Sequence, residues 1–149
     1  MEQIRPAAAQ DLARIAEIEI FNYRLSFYPI FQNDGFYFHE LQVPRVMARR
    51  GAALETVFVF DDGVVKGFVQ VEGREVKKLF VEPVLQGRSI GGRLLDFAVT
   101  AQGARDLWAL EKNTRAIAFY QRHGFSLTGE RRLEGGTAEH LVRMERAGP

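Results

Sequence analysis

The residues whose types and spacing point most clearly to a chemical role form the glycine-rich stretch QGRSIGG at positions 86–92. It follows Pro83, which cannot donate to a sheet ladder and so ends a β-rich segment, and it leads into an apolar helical pattern. Such a loop leaves unpaired backbone N–H groups at the positive end of a helix dipole. Its glycines let a phosphate approach the backbone, and Arg88 and Arg93 add positive charge. The stretch therefore predicts a pyrophosphate-binding site.

Two other phosphate-binding motifs do not fit this stretch. The spacing from Gly87 to Gly92 is that of a P-loop, but Arg93 and Leu94 stand where a P-loop requires Lys and then Ser or Thr. The G-x-G-x-x-G pattern of dinucleotide-binding folds does not occur in the sequence. On the residues alone, an ordinary strand-to-helix connection is an equal alternative to an anion site.

Hydrophobic periodicity and turn residues predict the elements that position this loop. The predicted strands lie at residues 3–5, 56–60, 64–71, 76–81, 107–110, 125–130 and 139–144, and the predicted helices begin near Asp11, His39, Ser89 and Asn113. The helix after the loop presents one apolar face with Ile90, Leu94, Leu95 and Ala98, and Gly103 ends it. The predicted strands at residues 56–60, 64–71 and 76–81 are separated by short turns, so we expect three consecutive antiparallel strands before the loop.

An aromatic segment at residues 21–38 separates the first helix from the second. It holds eight aromatic residues, and both Pro29 and an Asn-Asp-Gly turn signal at residues 33–35 interrupt any long element. The segment is predicted to be irregular and bulky. The second helix, at residues 39–50, contains Pro44, which must lie near its start or kink it.

Composition limits the class of protein. The 149 residues, 46% of them hydrophobic, suit one domain over residues 1–149. The formal net charge of +1 indicates no nucleic-acid partner, and the lack of cysteine, with only three histidines, argues against a metal site. No stretch approaches the length of about 20 apolar residues that a membrane span needs. We expect a cytoplasmic protein, and the sequence leaves open whether it forms a homodimer.

Two stretches resemble the GNAT superfamily of acyltransferases. Residues 79–95, LFVEPVLQGRSIGGRLL, are similar to the family loop in which Gln or Arg is followed by two residues, Gly, one residue, and then Gly or Ala. Gln86 and Gly91 fit that pattern, whereas Ser89 replaces the expected glycine. Residues 113–125, NTRAIAFYQRHGF, resemble a later family motif in which Asn precedes Tyr by seven residues and Gly-Phe follows.

The resemblance implies a GNAT fold of mixed α/β (α+β) type. Its central sheet is twisted and mostly antiparallel, with about six to seven strands flanked by about four helices. Two neighbouring parallel strands splay apart to form the acyl-CoA cleft. The resemblance also implies that acetyl-CoA is the co-substrate, with no metal. Its acetyl group would pass to a primary amine of a small-molecule or peptide acceptor by direct attack in a ternary complex.

The family motifs imply roles for individual residues. Tyr120 would protonate the leaving thiolate, and the backbone N–H of Leu79 would polarise the thioester carbonyl. Asn113 is an ordinary helix N-cap on local physics, and by resemblance it also binds the pantetheine arm. The implied cofactor-binding residues are Leu79, Phe80, Val81, Gln86, Gly87, Arg88, Ser89, Ile90, Gly91, Gly92, Asn113 and Tyr120.

The general base and the acceptor pocket are less determined by the sequence. Several glutamates are formally available as the base, of which Glu82 at a strand end is the candidate. Some relatives carry a Glu five residues before the motif asparagine, where this chain has Trp108. By resemblance, the aromatic segment lines the acceptor pocket, with Phe27, Tyr28 and Phe31 together with Trp108 as the candidate contacts. Such a pocket suits an acceptor with an apolar or aromatic body.

Two other classes of function stay open at this point. A non-catalytic acyl-CoA sensor would keep the loop and bind the cofactor without turning over an acceptor. An interaction protein that has lost the cofactor is the other alternative, for which Ser89 is the only hint. Tyr120 also has a purely structural interpretation, because it follows Phe119 on an apolar helix face and would then simply pack.

Overall fold

The computed structural model describes residues 3–147, so residues 1–2 and 148–149 of the predicted domain lie outside it. It contains a seven-stranded sheet in the order β1-β2-β3-β4-β5-β7-β6. The strands are β1 (Ile4–Pro6), β2 (Val57–Asp61), β3 (Val65–Glu72), β4 (Glu75–Val81), β5 (Asp106–Leu110), β6 (Phe125–Leu133) and β7 (His140–Arg146). Only β4 and β5 run parallel. The predicted mixed fold with a mostly antiparallel sheet is confirmed.

Helices pack on both faces of this sheet. They are α1 (Leu12–Asn22), α2 (Tyr28–Phe31), α3 (Val43–Gly51), α4 (Ile90–Gln102) and α5 (Thr114–Arg122). On one face, α4 buries its four predicted apolar residues in the larger core cluster, which the partly buried side of α5 also contacts. On the opposite face, α1 and α3 form two further clusters. No helix in residues 3–147 combines the length and the apolar character needed to cross a bilayer.

The buried face of α1 is shifted from the one that the helical spacing of Leu12, Ile15, Ile18 and Phe21 predicts. Ile15 and Ile18 are fully buried as expected, but Phe21 is 44% exposed. The face continues instead through Glu19 and Asn22, which are both buried. The spacing of Ile15, Ile18, Glu19 and Asn22 is i, i+3, i+4, i+7, which is one stripe of an α-helix. Two polar residues thus lie on the core side of α1.

The aromatic segment is largely helical, contrary to the prediction that it is irregular. Two π-helical turns, Tyr23–Phe27 and Gly35–Glu40, flank α2. Pro29 lies in the first turn of α2, where its missing N–H costs no hydrogen bond. The Asn33 side chain accepts from the Phe36 N–H at 3.0 Å, so the turn signal starts a helical turn. Likewise, Pro44 lies in the first turn of α3, which begins four residues later than predicted.

β4 separates from β5 after a short parallel contact. Only Glu75 and Val76 pair with β5. At the same point the register of β4 against β3 shifts, because Gln70 pairs with Lys78 and Val71 with Val76, which leaves Lys77 as an extra residue. A β-bulge of this kind bends a strand and increases its twist. The predicted splayed parallel pair is therefore present, and the bulge lies where it opens.

Candidate active site

Two adjoining cavities open at the splay between β4 and β5. The loop cavity, about 440 Å³, lies between the end of β4, the loop at residues 86–92 and α5. The aromatic cavity, about 780 Å³, lies under the aromatic segment and over the exposed ends of β4 and β5. Six residues line both of them: Phe27, Leu79, Phe80, Asn113, Ala116 and Tyr120. These six form a shared wall at which the contents of the two cavities meet.

The backbone of β4 has a free edge at this wall. The Glu82 N–H donates to the Lys66 carbonyl of β3 at 2.9 Å. In an antiparallel ladder alternate residues turn their polar groups to the same neighbour, so Phe80 and Glu82 face β3. Leu79 and Val81 therefore turn their backbone groups toward the edge that β5 has left. An extended ligand is therefore able to pair with the backbone of these two residues, which have strand geometry but no neighbouring strand on this side.

The loop itself is held in an unusual backbone conformation. Gly87 and Ser89 have positive φ angles of 87° and 66°. Ser89 occupies the N-cap position of α4, but its side chain makes no capping hydrogen bond. The first N–H groups of α4 have no intrahelical acceptors, as at every helix start, and Ser89, Ile90, Gly91 and Gly92 line the loop cavity. The loop thus presents unpaired backbone N–H groups to the cavity, and an anion site there stays a prediction.

Opposite substitutions at these two positions should shift stability in opposite directions. The left-handed conformation costs a non-glycine residue about 1–2 kcal/mol relative to glycine. Glycine, however, loses more conformational entropy on folding, and this offsets part of the difference. Ser89→Gly is therefore expected to raise the free energy of unfolding by about 0.5 kcal/mol, and Gly87→Ser to lower it by about 1 kcal/mol. A Cβ at Gly87 meets no atom within 4 Å, so no clash adds to the loss. Urea unfolding measures both changes, and shifts of the same sign would contradict the assignment.

The positive charge at the loop cavity comes mainly from α5. Arg115 and Arg122 line the cavity, whereas Arg88 does not. Arg93 lies over the Phe60 ring, with its guanidinium carbon 4.9 Å from the ring centroid. Neither arginine named from the sequence thus lines this cavity, whereas the sequence analysis did not name Arg115 and Arg122. The signal that it missed is helical spacing, since Arg115 and Arg122 are seven residues apart and lie on one face of α5.

Asn22 is a buried residue of the site that the sequence did not indicate. Its amide nitrogen donates to the Ile18 carbonyl at 2.8 Å and to the Val81 carbonyl at 2.9 Å. Its amide oxygen accepts from Gln86 at 3.1 Å. The side chain thus ties α1 to the end of β4 and to the first residue of the loop. The signal was a polar residue on the apolar stripe of α1, at position i+7 from Ile15.

Asn113 and Tyr120 lie together on the shared wall. The Asn113 side chain accepts from the Ala116 N–H at 3.3 Å, which is the N-cap role predicted from local physics. Tyr120 is partly buried between Phe119 and Phe125, with ring centroids 5.3 and 6.0 Å away. Desolvation raises the pKa of Tyr120 to about 12. The phenol therefore stays protonated at neutral pH and is able to donate a proton there.

Besides Arg88, two further predicted residues, Glu82 and Tyr28, line neither cavity. The carboxylate of Glu82 pairs with Arg14 of α1 at 2.8 Å, and Glu82 lines neither cavity. Tyr28 packs on Tyr37 and donates to Asp34 at 2.5 Å, also outside both cavities. The other candidate acceptor contacts, Phe27, Phe31 and Trp108, do line the aromatic cavity. Within residues 3–147, no three His, Cys, Asp or Glu side chains cluster as a metal site.

Comparison with known proteins agrees with this geometry. The family described as "Acetyltransferase (GNAT) domain" matches residues 53–127, about half of the chain. The peptidyl-lysine N-acetyltransferase YjaB of Salmonella typhimurium is 32% identical over 78 residues, which are 52% of this chain and 54% of that protein. The match thus spans about half the length of that curated relative.

Solved structures extend the likeness over nearly the whole chain. Apo YjaB from Escherichia coli has a TM-score of 0.70 at 18% identity, covering 98% of this chain and 97% of that chain. PaiA N-acetyltransferase from Thermoplasma acidophilum, solved with coenzyme A, has a TM-score of 0.68 at 16% identity, covering 97% and 99%. At such identities the likeness shows the fold. With the family match to residues 53–127, which include both motifs, the chain belongs to the GNAT acetyltransferase family.

Proposed function

We propose that this protein transfers the acetyl group of acetyl-CoA to a primary amine of a small acceptor, by direct attack in a ternary complex. The observation that carries the proposal is the shared wall between the two cavities. There the Leu79 N–H is a candidate hydrogen-bond donor to the thioester carbonyl, and the Tyr120 hydroxyl is a candidate proton donor. The aromatic cavity, at about 780 Å³, falls within the range of about 300–1,000 Å³ usual for small-molecule sites. A small acceptor is therefore favoured over a long peptide.

The residues of the loop cavity fit a coenzyme A molecule. The first N–H groups of α4, with Gly87 and Ser89, would hold the pyrophosphate, and Arg115 and Arg122 would add charge-assisted contacts. The free edge of β4 would pair with the pantetheine arm as with an added strand. Because Asn22 already donates to the Val81 carbonyl, the groups left for this pairing are the Val81 N–H and the backbone of Leu79.

The chemistry needs one hydrogen-bond donor and one acid from the protein. The ammonium group of the acceptor first loses one proton to water in the open cavity, and the neutral amine nitrogen then attacks the thioester carbon. The Leu79 N–H stabilises the negative charge that develops on the carbonyl oxygen. The carbon–sulfur bond then breaks, and the Tyr120 hydroxyl gives its proton to the sulfur. The nitrogen loses its extra proton to water in the open cavity, and the phenolate regains one from solvent. Glu82 has no part in this scheme because Arg14 holds it away from the wall.

Calorimetry and a thiol-release assay test the proposal together. We expect acetyl-CoA to bind with one site per chain, and a panel of primary amines to release coenzyme A thiol. The panel should include peptide lysines, since the name of YjaB assigns it that kind of acceptor. Binding without thiol release for any amine would favour the acyl-CoA sensor instead. The absence of any binding to coenzyme A species would overturn the proposal.

A further inference from the structure

Lys78 places a positive charge inside the aromatic cavity. It follows the bulge in β4, directly precedes Leu79, and lines the cavity on the side of the sheet that α1 and α3 cover. Its ammonium group donates to the Tyr23 hydroxyl and lies 5.1 Å from the centroid of the Tyr23 ring. The next residue, Leu79, whose N–H is the proposed donor to the thioester carbonyl, lines the same cavity.

The other buried charge beside this cavity is already compensated. Arg50, 6% exposed, pairs with the fully buried Glu19, their Nε and Oε1 atoms being 3.3 Å apart. Arg50 also donates to the Gln70 side chain at 2.5 Å. Gln70 in turn donates to Glu72 at 3.2 Å. Arg50 balances the charge of Glu19, whereas Glu72 has the neutral Gln70 amide as its partner, and neither carboxylate forms an ion pair with Lys78.

The two other carboxylates that line the cavity, Glu75 and Glu134, do not pair with Lys78. Glu75 pairs with Lys77 at 3.6 Å, and Glu134 accepts from the Gly135 N–H at 3.2 Å. Among the residues that the structure describes, Lys78 makes no ion pair, and its side-chain hydrogen bond goes to Tyr23. An ammonium group in a partly desolvated cavity without a counterion favours the binding of an anion there.

The surroundings of Lys78 define what else the anion carries. Phe27 and Phe80 pack against the Tyr23 ring, with centroids 4.9 and 5.6 Å away, and Phe31 lines the same cavity. Because the Tyr23 oxygen accepts from Lys78, its own proton remains for a ligand. The site thus offers two donors to an anion, beside an apolar surface and one residue from the Leu79 N–H.

We propose that the acceptor is a small amino carboxylate with an apolar or aromatic body. Its carboxylate binds the Lys78 ammonium and the Tyr23 hydroxyl, and its amine faces the shared wall. This inference rests on the proposed acetyl transfer and adds the chemical class of the acceptor. A bare amine is selected against as well, because its ammonium form must enter beside the ammonium group of Lys78.

Matched acceptors test the proposal. Phenylalanine, its carboxamide and phenethylamine share one body and differ only at the carboxylate. We expect kcat/KM for phenylalanine to exceed the values for both analogues by about 10- to 100-fold, the usual range for a charge-assisted hydrogen bond. Leucine, leucinamide and isoamylamine form a second set with a smaller body. Thiol release with saturating acetyl-CoA gives all six values.

Variants of Lys78 then assign the preference to this residue. Lys78→Met is expected to remove the preference and leave the Kd for acetyl-CoA unchanged, and Lys78→Arg to retain part of it. Lys112→Met is the matched control, because Lys112 is exposed and pairs with Glu139 away from the cavity. Lys78→Gln provides a second neutral variant if the methionine variant does not fold. A preference that survives in the neutral variants would overturn the role of Lys78.

Failure of this inference differs from failure of the proposed function. Turnover of amines at equal rates with and without the carboxylate, or of peptide lysine alone, overturns the inference and keeps acetyl transfer. Loss of all acetyl-CoA binding removes both. Calorimetry of the protein loaded with coenzyme A gives a readout independent of turnover. There the amino acids should bind at least about 10-fold more tightly than the amines, and equal affinities would contradict the inference.

Discussion

Tyr120→Phe is expected to lower turnover by about 10²- to 10⁴-fold, the usual contribution of a general acid, while the affinity for acetyl-CoA changes little. The substitution keeps the ring that packs on Phe119 and Phe125 and removes only the hydroxyl. Without that proton, coenzyme A must leave as a free thiolate, which slows cleavage of the carbon–sulfur bond. Thiol release at saturating amine measures the turnover, and calorimetry measures the affinity.

Tyr28→Phe is the matched control for this variant. It removes the hydroxyl of a nearby tyrosine that lines neither cavity and hydrogen-bonds Asp34, so turnover should stay close to that of the unchanged protein. The pH profile adds a second check. Because the pKa of Tyr120 is raised to about 12, its ionisation should cause no loss of rate below a pH of about 11. Equal turnover of Tyr120→Phe and the unchanged protein would leave Tyr120 with a packing role only.

Local sequence signals predicted the half of the fold that carries the loop cavity. The turns around Gly63 and Gly73, the stop at Pro83 and the end of α4 at Gly103 each follow from a residue with a strong backbone preference. The apolar face of α4 follows from its periodicity, and every residue predicted on it is buried. The predicted bounds of these elements therefore agree with the observed ones to within about two residues.

Local sequence signals do not predict the structure of the aromatic segment. Pro29 and the Asn-Asp-Gly stretch are turn formers by local preference, but both also suit the first turn of a helix. Burial of Tyr23 and Tyr37 against α3 and β4 decides between the two outcomes, and that packing involves residues far away in the chain. The same limit explains Glu82, because its ion pair with Arg14 joins residues 68 positions apart.

The cleft itself depends on a feature that has no clear sequence signal. Lys77 is the extra residue in β4, yet neither its type nor that of its neighbours distinguishes a bulge from a regular strand. The bulge turns the Lys78 side chain to the face opposite Val76, and it leaves Leu79 and Val81 at the free edge. A regular strand would place Lys78 on the same face as Val76. The composition of the aromatic cavity therefore follows from one register shift.

Replacing the Leu79 N–H by an ester oxygen is expected to lower turnover by about 10²- to 10³-fold, the usual loss for one donor to a developing oxyanion. Incorporation of the α-hydroxy analogue of leucine at this position keeps the side chain and removes only the donor. Because Leu79 turns its N–H to the free edge, the ladder between β3 and β4 loses no hydrogen bond. The free energy of unfolding should therefore change by less than about 0.5 kcal/mol.

The same change at Phe80 is the matched control, because its N–H faces β3. The α-hydroxy analogue of phenylalanine there should lower the free energy of unfolding by about 0.5–1.5 kcal/mol, since a ladder hydrogen bond is lost, and should leave most of the turnover. Urea unfolding and thiol release on both proteins complete the comparison. If the ester at Leu79 lowers stability and spares turnover, its N–H belongs to the sheet and the carbonyl is polarised elsewhere. The opposite pattern at the two adjacent positions assigns the donor to Leu79, because one ester removes an N–H from the free edge of β4 and the other removes one from the edge that pairs with β3.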